Sequence, residues 1–132
     1  MAPKMPTKLM PGGPVADAVF ADLIPRSEKL IADGHTPGLG TILVGDDGAS
    51  ARYVGMKMEK ARELGWSAPH QHLPEDATQA DVLAAVRAFN DDPLVDGFLI
   101  QHPTPPQIDF EAVLLEMDPD KDVDGMHPVN MG

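Results

Sequence analysis

The chain has 132 residues, is 42% hydrophobic, carries a formal net charge of −11 and contains no cysteine. That length and apolar content suit one globular domain with a real core. The charge disfavours nucleic acid and anionic membrane surfaces as partners, and the missing cysteines exclude disulfides, thiolate zinc sites and a cysteine nucleophile.

No apolar run approaches the length of a membrane span. The amino-terminal stretch "MAPKMPTKLMPGGP" lacks the apolar centre of a signal peptide, so a soluble cytoplasmic protein is expected. Residues 1–9 read as a tail, and residues 10–132 as one domain.

In chain order, Pro14 opens a helix with Val15, Val19 and Leu23 as its apolar stripe. Pro25 is expected to kink or restart that helix, which runs on to Gly34. Thr41–Gly45 ("TILVG") is a buried strand, and "DDGAS" a turn. A helix follows from about Ser50 to Leu64, with Val54, Met58 and Ala61 on one face and Gly65 as its stop. Pro69–Leu73 is a second strand. Thr78 and Asp81 have the spacing of a capping box for a helix carrying Val82, Val86 and Phe89. Gly97–Gln101 is a third strand. Asp109 caps a last helix through Phe110, Val113, Leu114 and Met117.

Strands alternating with helices imply crossover connections. The expected fold is a three-layer α/β/α domain with a mainly parallel sheet. Ligands of such sheets bind beyond the carboxyl ends of the strands. Three stretches leave those ends: "GDDGASARYVGMK", "LPEDA" and "QHPTPP".

Tyr53 and Lys57 are four residues apart, on one face of the second helix. A lysine at the rim of a cleft with apolar neighbours can have its pKa lowered and serve as an acid/base group. From spacing alone, an ordinary surface lysine beside a partly packed tyrosine is the commoner explanation. Gln101 closes an apolar strand and can face either a ligand or water. The prolines after it stiffen the exit, and one of their peptide bonds can be cis. His70 and His72 share a strand face but have no evident third metal ligand. His102 and His127 lie near prolines in loops, and Trp66 is a packing residue.

The stretch Asp118–Gly125 ("DPDKDVDG") holds four aspartates. From Asp120 it has the front of a calcium loop, but the last position falls on Met131, which has no carboxylate. Calcium is therefore not expected, and no metal site is assigned; an exposed acidic turn stays open. No glycine-rich phosphate loop follows a strand: "GHTPGLG" precedes one, and "GDDG" lacks the spacing.

Three blocks in order, "PGLGTILVGDDGASARYVGMK", "GFLIQHPTPP" and "PDKDVDGMHPVNMG", resemble the amino-terminal half of the bifunctional methylenetetrahydrofolate dehydrogenase/methenyltetrahydrofolate cyclohydrolase family. The family's blocks have the forms VGxxxxSxxYVxxK, VQLPLP and KDVDGxHPxNxG. Val44, Gly45, Ser50, Tyr53, Val54 and Lys57 match the first. Lys121 to Gly125, His127, Pro128, Asn130 and Gly132 match the last. The likeness covers residues 10–132.

The resemblance implies a folate-binding catalytic domain in one-carbon metabolism and purine biosynthesis. The implied reactions are NADP-dependent oxidation of methylenetetrahydrofolate and hydrolysis of the product to formyltetrahydrofolate. It implies Lys57 as the catalytic lysine, Gln101 as its orienting partner, and Tyr53 packed against the folate near the reacting carbon. Asp124 is implied to read the amino-pyrimidine edge of the pterin. It also implies a homodimer, and NADP held mainly by a second, dinucleotide-binding Rossmann domain that these 132 residues do not contain. Dehydrogenase activity is accordingly not expected of this chain alone.

His102 and Thr104 stand where the family usually has leucines, which bears on the pocket wall. Two other readings remain. Short-chain dehydrogenases share the tyrosine–lysine spacing, but they place a glycine-rich loop after the first strand. A non-catalytic folate-binding or regulatory remnant is the other.

Overall fold

The computed structural model describes residues 1, 3 and 5–132. The tail expected over residues 1–9 includes Ala2 and Lys4, which lie outside the described residues; the others of that stretch form no helix or strand. The elements are α1 (Gly12–Ala32), β1 (Leu39–Val44), α2 (Gly48–Glu63), β2 (His70–Leu73), α3 (Gln79–Asp91), β3 (Gly97–Ile100), α4 (Phe110–Glu116) and α5 (Pro128–Met131), with a 3₁₀ turn at Pro119–Lys121 between the last two.

The three strands form a parallel sheet in the order β2-β1-β3. β1 is central. Thr41 pairs with His70 on one side, and Leu39 and Gly40 pair with Gly97 and Phe98 on the other. Those pairings start β1 two residues earlier than its apolar run suggests. Gly45 ends it with φ +90°, a left-handed conformation that a side chain resists.

Side chains alternate along a strand, so β1 needs cover on both faces. Ile42 and Val44 join Val82, Val86 and Phe89 of α3, Phe98 and Ile100 of β3, and Val113 of α4 in one core. Leu43 is buried outside that cluster, as are Val54 and Ala61 of α2, which packs on β1. The domain therefore has the three expected layers. Gly40 lies where a Cβ would approach the Phe89 ring and the Phe98 Cβ to 2.9 Å, so the backbone itself packs against that edge-on aromatic pair.

The caps follow local chemistry. Asp47 accepts the Ser50 N–H at 2.8 Å, which starts α2 two residues ahead of the expected Ser50. Thr78 and Asp81 form the reciprocal capping box. Asp109 caps α4 by accepting the Ala112 N–H. After α1 and α2, Gly34 (φ +91°) and Gly65 (φ +79°) close the helix ends, with His35 and Trp66 donating back to Leu30 and Ala61.

α1 differs from expectation. It starts at Gly12 and runs through Pro25 without interruption. Pro25 removes the bond to the Ala21 carbonyl, but Ala21 is exposed, so the lost donor does not leave a buried acceptor. Val15 and Val19 are exposed rather than packed; Leu23 is half-buried, and Ser27 is the buried residue of this helix. Trp66 donates its indole N–H to Ser27 Oγ at 2.9 Å and so holds α1 to the turn after α2.

Ile42 is fully buried between strands and α3. Ile42→Ala is expected to destabilise the fold by about 2–5 kcal/mol, and Thr78→Ala by about 1 kcal/mol, read from urea denaturation midpoints. Equal losses would mean that β1 is not the centre of the core.

Candidate functional site

Tyr53 and Lys57 lie on α2, close to where it leaves β1, and Gln101 lies at the end of β3. Gln101 continues the ladder by donating its backbone N–H to the Ile42 carbonyl at 2.9 Å. Because β1 and β3 are parallel neighbours, their carboxyl ends deliver both side chains to one edge. There Lys57 Nζ donates to Gln101 Oε1 at 3.1 Å. Gln101 Nε2 donates onward to the His102 carbonyl at 3.2 Å, which fixes which end of the amide faces the lysine. The His102–Pro103 peptide bond is cis.

Lys57, but not Gln101, also borders an open apolar cleft of about 480 Å³ that runs between α1 and α2 from Tyr53 toward Leu39 and Leu64, at the amino end of β1. Phe20, Leu23, Tyr53, Met56 and Trp66 line it, with Lys57 and Lys60 at its rim. Tyr53 is 58% exposed, so its ring is available to a ligand rather than spent on the core. Lys60 lies 5.1 Å from the centre of the Phe20 ring and also pairs with Glu63 at 2.8 Å.

The loops at this edge are stitched together. Glu75, after β2, accepts the Asp46 N–H at 3.1 Å, and a Cβ on Gly45 would collide with that carboxylate. Gln107 donates to the carbonyls of Glu75 and Ala77 at 2.7 and 3.1 Å. The loop carrying Gln101 is thereby joined to the loop after β2, and that loop to the start of α2. Neither Glu75 nor Gln107 stands out in the sequence, because each acts on a backbone group about thirty residues away. Thr104 lines a small cavity with Val44, Asp47 and Pro105, while the His102 ring turns toward Phe110, 4.7 Å between centres.

The histidines of β2 serve the backbone and its neighbours. His70 shares a hydrogen bond with Thr41 Oγ1, and His72 donates to the Gly45 carbonyl, each at 2.8 Å. Among the described residues, no group of three or more histidine, aspartate or glutamate side chains is arranged to hold a metal, and no helix is long and apolar enough to cross a membrane.

The acidic stretch divides its aspartates by task. Asp118 caps the 3₁₀ turn by accepting the Asp120 N–H at 2.9 Å. Asp122 makes a parallel bridge to Phe98 of β3 and accepts from the His127 N–H at 2.8 Å and Asn130 Nδ2 at 3.0 Å. Val123 packs where a Cβ on Gly97 would otherwise stand. Gly125 closes the turn with φ +65°. Asp124 is exposed between them, and no side-chain hydrogen bond or ion pair among the described residues engages it. The structure thus joins Lys57 to Gln101, sets Tyr53 beside Lys57, and holds Asp124 on a separate turn without a direct bond to the other three.

Burial acts to raise the Asp122 carboxyl pKa, but hydrogen bonds from Asn130 and the His127, Met126 and Gly125 backbone outweigh it and hold the group below the ordinary value. The folded pKa is thus lower than the unfolded one. The resulting stability is fully present above the unfolded value of about 4 and is lost as pH falls through the folded value. Asp122→Asn is expected to flatten the stability profile between about pH 2 and 5, measured by urea titration at each pH. An unchanged acid limb would show that this carboxylate carries none of it.

Residues 10–124 match the family described as tetrahydrofolate dehydrogenase/cyclohydrolase, catalytic domain. Among curated relatives, the chain is 49% identical to bifunctional protein FolD 1 of Salinispora tropica, over 93% of this chain and 40% of that protein. It is 50% identical to bifunctional protein FolD of Syntrophotalea carbinolica, over 97% and 44%. The crystal structure of the bifunctional enzyme FolD from Campylobacter jejuni superposes with a TM-score of 0.88 at 36% identity, over 92% of this chain and 43% of that one. The Trypanosoma brucei FolD structure, solved with NADP cofactor and an inhibitor, gives 0.90 at 33% identity, over 97% and 44%. This chain therefore spans about two fifths of the length of its relatives. It belongs to the tetrahydrofolate dehydrogenase/cyclohydrolase family and corresponds to that family's catalytic domain.

Proposed function

We propose that this chain, with residues 10–132 as the folate-binding unit, supplies the folate side of a methylenetetrahydrofolate dehydrogenase/methenyltetrahydrofolate cyclohydrolase. The observation that supports this most is the Lys57–Gln101 contact of 3.1 Å at the carboxyl edge, where Lys57 and Tyr53 also border the end of an apolar cleft. Family membership supports it independently.

In this reading the pterin presents its amino group and ring N–H to Asp124, which accepts both in a paired, charge-assisted contact. Tyr53 packs against the folate ring system near the one-carbon bridge. Oxidation removes a hydride from the methylene carbon and leaves a methenyl cation. Water adds to that carbon, and one C–N bond of the bridged ring breaks to give the formyl product with release of a proton. Lys57 handles the proton transfers of the hydrolytic step, and Gln101 holds its ammonium in place. Lys57, Lys60 and Arg52 give the cleft a local positive field that offsets the acidic chain for an anionic folate tail.

NADP accepts the hydride when it is bound. The loop after β1 is a poor seat for its phosphates. Asp47 already caps the α2 amino terminus, and Asp46 and Glu75 crowd the same turn with negative charge. The nucleotide site therefore belongs to a dinucleotide-binding domain of the kind implied above. A homodimeric, cytoplasmic enzyme goes with this reading. The 132-residue chain alone is expected to show no NADP reduction with methylenetetrahydrofolate, measured by absorbance.

With such a domain joined to the chain, Lys57→Met is expected to abolish cyclohydrolase turnover while largely sparing folate binding. Lys57 acts mainly in the transition state. Asp124→Ala is expected to raise KM by an amount corresponding to about 1.5–3 kcal/mol, because the pterin edge is bound throughout. Steady-state hydrolysis of methenyltetrahydrofolate reads both. If Lys57→Met turned over at the unsubstituted rate, a folate-binding role without catalysis would be the better account.

A further inference from the structure

The proposed function gives Asp124 its task but leaves Lys121 and Asn90 without one. Both are half-buried, and both tie the acidic stretch to the carboxyl end of α3. Asn90 uses its whole amide: Nδ2 donates to the Glu116 carbonyl at 2.9 Å, and Oδ1 accepts the Asp118 N–H at 2.8 Å. That fixes the point where α4 ends and the acidic stretch begins. Three residues later, Lys121 Nζ donates to the carbonyls of Phe89 and Asp92 at 3.0 and 2.9 Å. These belong to the last turn and cap of α3, where the unpaired carbonyls of a helix concentrate negative charge.

α3 is a firm support. Val82 and Val86 are fully buried, and Phe89 is 5% exposed. Beyond Lys121 the next two residues are also held, Asp122 by its bridge to Phe98 and Val123 in the space left by Gly97. Asp124 follows at once, with its carboxylate free of the contacts that occupy Asp118 and Asp122. The Lys121 ammonium is committed to the main chain of α3, so its influence on a ligand is indirect.

We propose that Lys121 and Asn90 are positioning residues: the carboxyl end of α3 grips the acidic stretch through them and thereby sets where the Asp124 carboxylate meets a pterin edge. This rests on the folate-binding reading above. Recognition of a planar donor pair by a carboxylate is geometrically demanding, so loosening the grip weakens binding without touching the ligand.

The test titrates the 132-residue chain and its variants with tetrahydrofolate by calorimetry, at a urea-free pH where each is shown to be folded. Lys121→Met keeps the stem and removes the ammonium. It is expected to weaken binding about tenfold, as for a turn that holds its binding-competent arrangement about a tenth of the time. Asp124→Ala is expected to weaken it at least as much, and Lys121→Met combined with Asp124→Ala no further than Asp124→Ala alone, because a missing carboxylate cannot be misplaced. Additive losses in the double variant would overturn the proposal. Amide hydrogen exchange gives the second reading. In Lys121→Met, exchange at Asp122–Gly125 should quicken while β1 stays protected, and unchanged exchange there would also overturn it. Should Lys121→Met fail to fold, Asn90→Ala enters the same cycle with the same expectations. If the unsubstituted chain binds no tetrahydrofolate, the functional reading falls, and the exchange measurement alone decides whether α3 holds the turn.

Discussion

The burial of β1 on both faces and its pairing on both sides is the constraint on which the rest depends. A central strand of six residues cannot slip by one without moving Ile42 and Val44 out of the main core and Leu43 into it. Its register fixes β2 and β3, and their register fixes where each chain leaves the sheet. The Lys57–Gln101 bond follows from that geometry: one residue rides on the helix after β1, and the other ends β3. The candidate site is thus held by the same packing that holds the fold.

The electrostatics of this edge are local rather than global. The chain has a net charge of −11. Yet much of the acidity near the site is occupied: Asp47 caps α2, Glu75 holds the Asp46 backbone, and Asp118 and Asp122 shape the last turn. Carboxylates that satisfy backbone N–H groups spend their acceptors on the fold. Of the two lysines that border the apolar cleft, Lys60 is paired with Glu63, so it is chiefly Lys57 that an overall acidic protein offers to an anionic ligand there.

Much of this was legible in the sequence. Apolar runs marked β1 and β3, the His-Gln-His alternation before Leu73 marked β2, and the 3.6-residue spacing marked α2, α3 and α4, because local pattern and tertiary packing agree there. The Thr78–Asp81 box and the glycine stops at Gly34 and Gly65 were readable for the same reason. The meeting of Lys57 with Gln101, forty-four residues apart, was legible through the family resemblance and through parallel strands that leave the sheet at one edge. Two kinds of information were not. Pro25 reads as a break, but nothing local says that the carbonyl it orphans faces water. Spacing also cannot sort four neighbouring aspartates: Asp118, Asp122 and Asp124 differ only in what the rest of the chain brings to them. The tasks of Lys121, Glu75 and Gln107 were illegible for that reason, as their partners are backbone atoms of distant segments.

α1 has a different standing from the other long helices. Of its twenty-one residues Ser27 is the buried one, in the second half, where Trp66 reaches it. The first half carries Val15 and Val19 exposed and is held by little besides its own hydrogen bonds. A helix so attached does not share the cooperativity of the core; its first turns open at a small fraction of the free energy needed to unfold the sheet. The molecule therefore has two tiers of stability. A protease meeting the native protein would cut in the amino-terminal turns of α1 well before it reached β1, leaving the Lys57–Gln101 edge intact.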